Sequence, residues 1–160
     1  MEKKPYSLRT NIGYFLNKPI GFSRSFNIAH EEVFIQPDLN VKQLKSAVTF
    51  SRTREGLLLE ADLEGSIETA CGRCLMLFYI PVKTIIKELY FFSQRSQEDS
   101  DMVIPENGYI DLGEIFREYL LLELPINPLC KHDCLGLCDQ CGQNLNVALC
   151  EHQLAKQKDP

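Results

Sequence analysis

Seven cysteines and three histidines are the residues of this 160-residue chain best suited to soft-ligand chemistry. Five of the cysteines and two of the histidines crowd into the stretch "CKHDCLGLCDQCGQNLNVALCEH", from Cys130 to His152. The other pair, Cys71 and Cys74, stands in "ACGRCL". Thiolates and imidazoles in such numbers suit a tetrahedral zinc ion, which binds sulfur at ~2.3 Å. A C-x-x-C turn offers two thiolates from one bend of backbone, and glycine relieves the steric cost of that bend. Two turns fit: Cys71/Cys74 with Gly72 inside, and Cys138/Cys141 with Gly142 after. Cys130/Cys134 and Cys150/His152 make two further pairs.

Four pairs can serve two metals in more than one way. One partition joins Cys71, Cys74, Cys130 and Cys134, leaving Cys138, Cys141, Cys150 and His152 as a local site. The rival joins the two C-x-x-C turns and leaves Cys130, Cys134, Cys150 and His152 for another metal or for none. His132 is a spare ligand or an exposed loop residue. Idle free cysteines would explain a lone C-x-x-C, but not two turns with three more cysteines beside them. The donor set is closed and rich in thiolate, so the expected role of one or two zinc ions is structural; catalytic zinc keeps an open position. "CGRC" also resembles the motif of thiol oxidoreductases, which opens a helix whose N-terminus lowers the first thiol's pKa. Here "LMLFYIP" follows and reads as strand. No phosphate loop, nucleophile elbow or acid–base constellation is readable, so neither catalysis nor a small-molecule substrate is expected.

The elements that must hold these cysteines follow from periodicity. "IGFSRSFNI" (20–28) partly alternates and reads as a strand, and Pro37-Asp38 reads as a turn. "VKQLKSAVTFSRT" (41–53) fits strand or helix, and its β-branched residues favour strand. Arg54–Gly56 is a turn, and "LLLEADLEGSIETA" (57–70) a long strand. Residues 75–92 begin as another strand, although "VKTIIKELYFF" alone could be helical. The whole forms a long hairpin with Cys71–Cys74 at its tip. Residues 93–108 are polar and read as a mobile loop. Asp111 then caps a helix over about 111–123, with Glu114 three residues on. Leu112, Ile115, Phe116, Tyr119 and Leu120 form its apolar stripe, and Pro125 and Pro128 end it. The expected fold is α+β: an antiparallel sheet with a long hairpin, one main amphipathic helix and a Cys-rich zinc-binding tail. The domain reading is 1–128 for sheet and helix, and 129–160 for the tail packed on the 71–74 knuckle.

No apolar run reaches the ~18 residues of a membrane span, so no membrane partner is expected. The opening residues carry no continuous apolar core of the secretory kind, and the expected compartment is the reducing cytoplasm, where clustered thiols bind metal rather than pair as disulfides. The net charge of −5 argues against nucleic acid, but it is unevenly spread. Residues 1–54 hold nine basic and four acidic residues, against eight and eighteen in the remainder. Arg24, Lys42, Lys45, Arg52 and Arg54, with Arg73 between the knuckle cysteines, are the candidate phosphate contacts. Arg52 and Arg54 share a face if their segment is extended; Lys45 is out of phase with them unless a bulge intervenes. Phe22, Phe26 and Phe50 alternate with this charge and are expected mainly in the core.

Read in order, "ACGRCL", "YIDLGEIFREYLLLELPINPLC" and "GLCDQCGQNLN" closely resemble the YceD family, the large ribosomal RNA subunit accumulation proteins of bacteria and plastids. The resemblance covers roughly residues 55–152. It implies a non-enzymatic role in the synthesis, processing or stability of 23S ribosomal RNA, with that RNA or its precursor, or a large-subunit assembly protein, as partner. Family tails often end in C-x-C, where this chain has Cys150 and His152; histidine can replace cysteine on zinc. Some members lack the later knuckle while keeping the first C-x-x-C and ligands after the helix. That implies the partition pairing Cys71/Cys74 with Cys130/Cys134. The alternative function is a zinc-stabilised module that binds a ribosomal protein or assembly factor without touching RNA, its acidic surface suiting a basic partner.

Overall fold

A computed structural model describes residues 8–92 and 102–156 of the chain. The polar stretch 93–101, the core of the loop expected over 93–108, lies outside the described residues. Four long strands form one sheet in the order β2-β3-β4-β5: β2 Ser23–Ile35, β3 Leu39–Arg52, β4 Gly56–Ala70 and β5 Leu77–Phe91. Two short strands, β1 Arg9–Asn11 and β6 Tyr109–Asp111, pair antiparallel in a separate sheet. A 3-10 turn spans Gly13–Asn17, and two helices follow β6: α1 Leu112–Leu122 and α2 Glu151–Lys156. The arrangement is the expected α+β one.

Alternation decides which face of the sheet is buried. On β4, Leu57, Leu59, Ala61, Leu63 and Ile67 are buried while Asp62 and Glu64 are exposed. This is the pattern of an antiparallel sheet with one wet face. β3 keeps its apolar face only by changing phase. Leu39 and Val41 are buried, then Leu44, Val48 and Phe50. The register against β4 slips between Lys42 and Lys45, and Gln43 takes a left-handed φ of 52°. This is the signature of a bulge, one extra residue that re-aims the strand.

Asp111 caps α1, its carboxylate accepting from the Gly113 N–H at 2.8 Å. Leu112, Ile115, Phe116 and Leu120 are buried along its stripe. Tyr119 is half-buried and donates its hydroxyl to Glu88 on β5 at 2.5 Å. Arg117 grips Asp38 in the β2–β3 turn with two parallel bonds, Nε to Oδ1 at 2.8 Å and Nη2 to Oδ2 at 3.0 Å. Phe15 of the 3-10 turn meets the rings of Phe22 and Phe50 at 5.7 and 5.9 Å. Phe50 is fully buried and stacks on Phe26, so these rings serve the core.

The chain divides into two compact units. One runs through Ile67 and resumes over Pro81–Glu123; the other takes Glu68–Ile80 and the chain from Leu124 on. The hairpin tip, counted with the sheet in the 1–128 reading, thus clusters with the tail. Within this second unit the Gly72 N–H donates to the Pro128 carbonyl at 2.7 Å, and the Tyr79 hydroxyl donates to Glu68 at 3.0 Å.

Candidate metal centre

The hairpin tip is a tight turn: Cys71 N–H donates to the Met76 carbonyl at 2.9 Å and Leu75 N–H to the Cys71 carbonyl at 3.0 Å. Gly72 fits because the Asn127 side chain occupies the space a Cβ would need. The segment after α1 brings Cys130 and Cys134 to this tip. Cys71 Sγ lies 3.7 Å from Cys134 Sγ, and Cys74 Sγ lies 3.6 Å from Cys130 Sγ. All four sulfurs fall within 4.8 Å of one another. A disulfide would need about 2.0 Å. A zinc tetrahedron with ~2.3 Å bonds has sulfur–sulfur edges of about 3.8 Å, which the two short distances match. Phe78, Leu129 and Leu137 pack round the group.

The second group is local. One sulfur each from Cys138, Cys141 and Cys150, with an imidazole nitrogen of His152, lies within 4.8 Å of the others. Cys138 is buried, Cys150 half-buried, and Cys141 and His152 exposed. A small ribbon carries the first two: Cys138 N–H donates to the Gln143 carbonyl at 2.8 Å, Leu137 bridges Asn144, and Leu145 N–H donates to the Gly136 carbonyl at 2.9 Å. Gly136 needs its left-handed φ of 77°, and a Cβ there would press on the Arg73 carbonyl. His132 belongs to neither group.

Ionisation within the first group is unequal. Burial pushes the Cys71 thiol up, but backbone N–H groups of Cys130, Cys74 and Arg73 outweigh it and bring the group to about 6. Burial also opposes ionisation of Cys134, yet the Gly136 N–H and the Asn146 amide hold it below its ordinary value. Cys130 is pushed up to about 12 by burial and by the neighbouring thiols. Four thiolates this close repel one another, so without a cation some must stay protonated. A divalent ion removes that conflict, and a coordinated thiol is deprotonated outright. In the second group Cys138 is lowered by the Cys141 and Gln140 N–H groups against its burial. Both donor sets are closed and suit a structural rather than a catalytic ion. Cys71 directly follows a strand, whereas an oxidoreductase C-x-x-C opens a helix.

The basic candidates do not gather on one surface. Past the bulge, Lys45 lies on the exposed face of β3, as does Lys42 before it. Arg52 has the opposite parity: it is half-buried, with its guanidinium 4.1 Å from the Phe92 ring centroid and bonded to the Thr53 carbonyl. The bulge precedes Lys45, so it does not bring Lys45 into phase with Arg52. β3 ends at Arg52, so Arg54 sits in the following bend, and the extended segment that would put Arg52 and Arg54 on one face is not formed. Arg24 lies 5.4 Å from the Tyr14 ring. Acids interleave with the lysines: Lys42 pairs in register with Glu32, and Lys45 with Glu64. Arg73 donates to the Cys134 carbonyl at 3.0 Å, joining the tip to the tail segment.

Two residues on these surfaces escaped sequence reasoning. Lys83 of β5 lines a shallow groove with Lys45, Asp62 and Glu64; the strand-or-helix ambiguity of its segment hid its face. Asn146 donates an amide N–H to Cys134 Sγ at 3.4 Å. Its one signal was the Asn144-x-Asn146 repeat, a turn-forming pattern.

Comparison with known proteins adds a family. Residues 59–160 match the model of the family described as large ribosomal RNA subunit accumulation protein YceD. An uncharacterized protein of Mycobacterium tuberculosis is 33% identical over 92 residues, 55% of this chain and 44% of that protein. The uncharacterized protein YlbN of Bacillus subtilis is 31% identical over 100 residues, 61% of this chain and 58% of that one. A chloroplastic YCED homolog 1 of Arabidopsis thaliana, named a large ribosomal RNA subunit accumulation protein, is 37% identical over 54 residues, 34% and 17% of the two chains. The chain spans about half the length of the bacterial relatives it matches. No solved structure matches it.

Proposed function

The chain belongs to the YceD family of large ribosomal RNA subunit accumulation proteins, and from that premise we propose that it promotes accumulation of 23S ribosomal RNA in the cytoplasm as a non-enzymatic factor. The observation that carries this reading is the extent of the family match, residues 59–160, which contains every member of both cysteine groups. The second unit is then a zinc-built module. Cys71, Cys74, Cys130 and Cys134 hold one ion, and Cys138, Cys141, Cys150 and His152 another. Binding energies of ~10–16 kcal/mol for structural zinc are enough to order a segment so short of apolar core.

RNA contact falls to the exposed sheet face, where Lys42 and Lys45 stand with Lys83, and to Arg24 and Arg54. Arg52 and Arg73 are engaged by Phe92 and by the Cys134 carbonyl. The intermixed Glu32 and Glu64 favour a second reading, in which the partner is a large-subunit assembly protein. Crosslinking in cells followed by sequencing of the bound RNA separates the two. Recovery of 23S precursor fragments is expected. Loss of 23S RNA on depletion of the protein, without crosslinked fragments, would assign the protein-mediated role. Unchanged 23S levels on depletion would overturn both.

A further inference from the structure

We propose that Asn146 couples the two metal sites, so that filling the site of Cys138, Cys141, Cys150 and His152 raises the metal affinity of the site of Cys71, Cys74, Cys130 and Cys134, and the reverse. The inference rests on the reading that both groups hold zinc.

Asn146 uses both ends of its side chain. Its Oδ1 accepts the N–H of Leu135, the residue after Cys134, at 2.9 Å. Its Nδ2 donates to Cys134 Sγ at 3.4 Å and to Asn144 Oδ1 at 2.9 Å. The same Asn144 oxygen also takes the Asn146 backbone N–H at 3.0 Å. Asn146 therefore closes on the sulfur of one ligand of the first site, Cys134, and on the backbone N–H of the residue after it, Leu135.

Its position belongs to the second site. The ribbon joining Gly136, Leu137 and Cys138 to Gln143, Asn144 and Leu145 carries the Cys138–Cys141 turn, and Asn146 is the next residue on its returning arm. Beyond it, Val147 and Ala148 fold back on the Asn144 carbonyl at 3.1 and 3.3 Å, and Cys150 follows two residues later. A metal on Cys138, Cys141, Cys150 and His152 thus pins the chain on both sides of Asn146. An amide N–H aimed at a metal-bound thiolate draws charge from the sulfur and locks its rotamer, and such outer partners are worth about 10–100-fold in metal affinity. Linkage makes the benefit mutual.

Cobalt(II), and zinc in competition with it, can be titrated into the metal-free full-length chain. The four-sulfur and the three-sulfur, one-nitrogen sites are told apart by their d–d absorption. Asn146→Ala is expected to weaken the four-sulfur site about tenfold, and so is Cys141→Ser/Cys150→Ser, which breaks only the second site. Combining them should cost no more than either alone. Asn146→Asp keeps the shape and the acceptor for Leu135 but removes the donor to Cys134, so it should lose at least as much as alanine. Losses that multiply in the combined variant would overturn the coupling. So would an unchanged four-sulfur affinity when the second site is broken with Asn146 intact, an outcome independent of how Asn146→Ala folds. A wild-type chain that binds two ions independently would sink this inference alone; one that binds none would sink the zinc reading with it.

Discussion

Cys74→Ser replaces one sulfur of a four-sulfur group and leaves the other group's ligands untouched. After dialysis, elemental analysis should give about one zinc per chain, against two in the wild type, because the two ligand sets share no residue. The segment from Leu124 to Cys134, which carries the two tail ligands of the broken group, should then become protease-sensitive, since the lost binding energy is on the order of 10 kcal/mol. A full complement of zinc in this variant would refute the ligand assignment. At this scale the sequence was uneven. The metal chemistry was legible in residue types, because few other uses explain two C-x-x-C turns in so short a chain. The partition was not, because spacing alone cannot say which pair meets which across the sequence separation of 56 from Cys74 to Cys130. Asn146 was hidden for another reason: an asparagine in a turn looks the same whether its amide faces water or a sulfur.

At the scale of elements, α1 carries the clearest tests. Phe116 is fully buried, so Phe116→Ala should cost about 3–5 kcal/mol by denaturant melting; a loss below about 1 kcal/mol would mean that the helix is not seated on a packed core. Tyr119 gives a pH prediction. Its hydroxyl bond to Glu88 raises it to about 12, and burial raises Tyr90 to about 12 as well. The folded values lie above the unfolded value near 10. The stabilisation from each is therefore fully present below about pH 10 and is lost as pH climbs towards 12. Thermal melts across that range should fall, and Tyr119→Phe should fall less steeply, with the Tyr90 share remaining. Equal slopes would show that the Glu88 bond is not held in solution. The capped helix and the long hairpin were readable because each repeats its pattern over ten or more residues. β1 and β6 were not, because a three-residue strand has no period. Nor was the bulge, since Gln43 adopts positive φ without the glycine that usually signals it.

Across the whole molecule the excess of positive charge in residues 1–54 overstated the surface. Charge counting along the chain does not see that Glu32 and Glu64 stand opposite Lys42 and Lys45, which only the register reveals. If that face binds phosphate, Lys42→Glu/Lys45→Glu/Lys83→Glu should weaken binding of 23S fragments and make the salt dependence shallower, by about 0.7 for each single-strand phosphate left unneutralised. These lysines are exposed, so circular dichroism and melting should barely change. Unaltered affinity and slope in the folded variant would move RNA contact off the sheet. The second unit is also discontinuous, built from Glu68–Ile80 and the chain after Glu123. That imposes a timetable on synthesis. The sulfurs of Cys71 and Cys134 meet across 63 residues, which at ~5–20 residues per second means several seconds of translation. For that interval the nascent hairpin carries a dithiol whose mates are still unread codons, open to oxidants, stray metals and chaperones. The centre cannot form before its second half arrives, and a ribosome pausing between those codons lengthens the hazard.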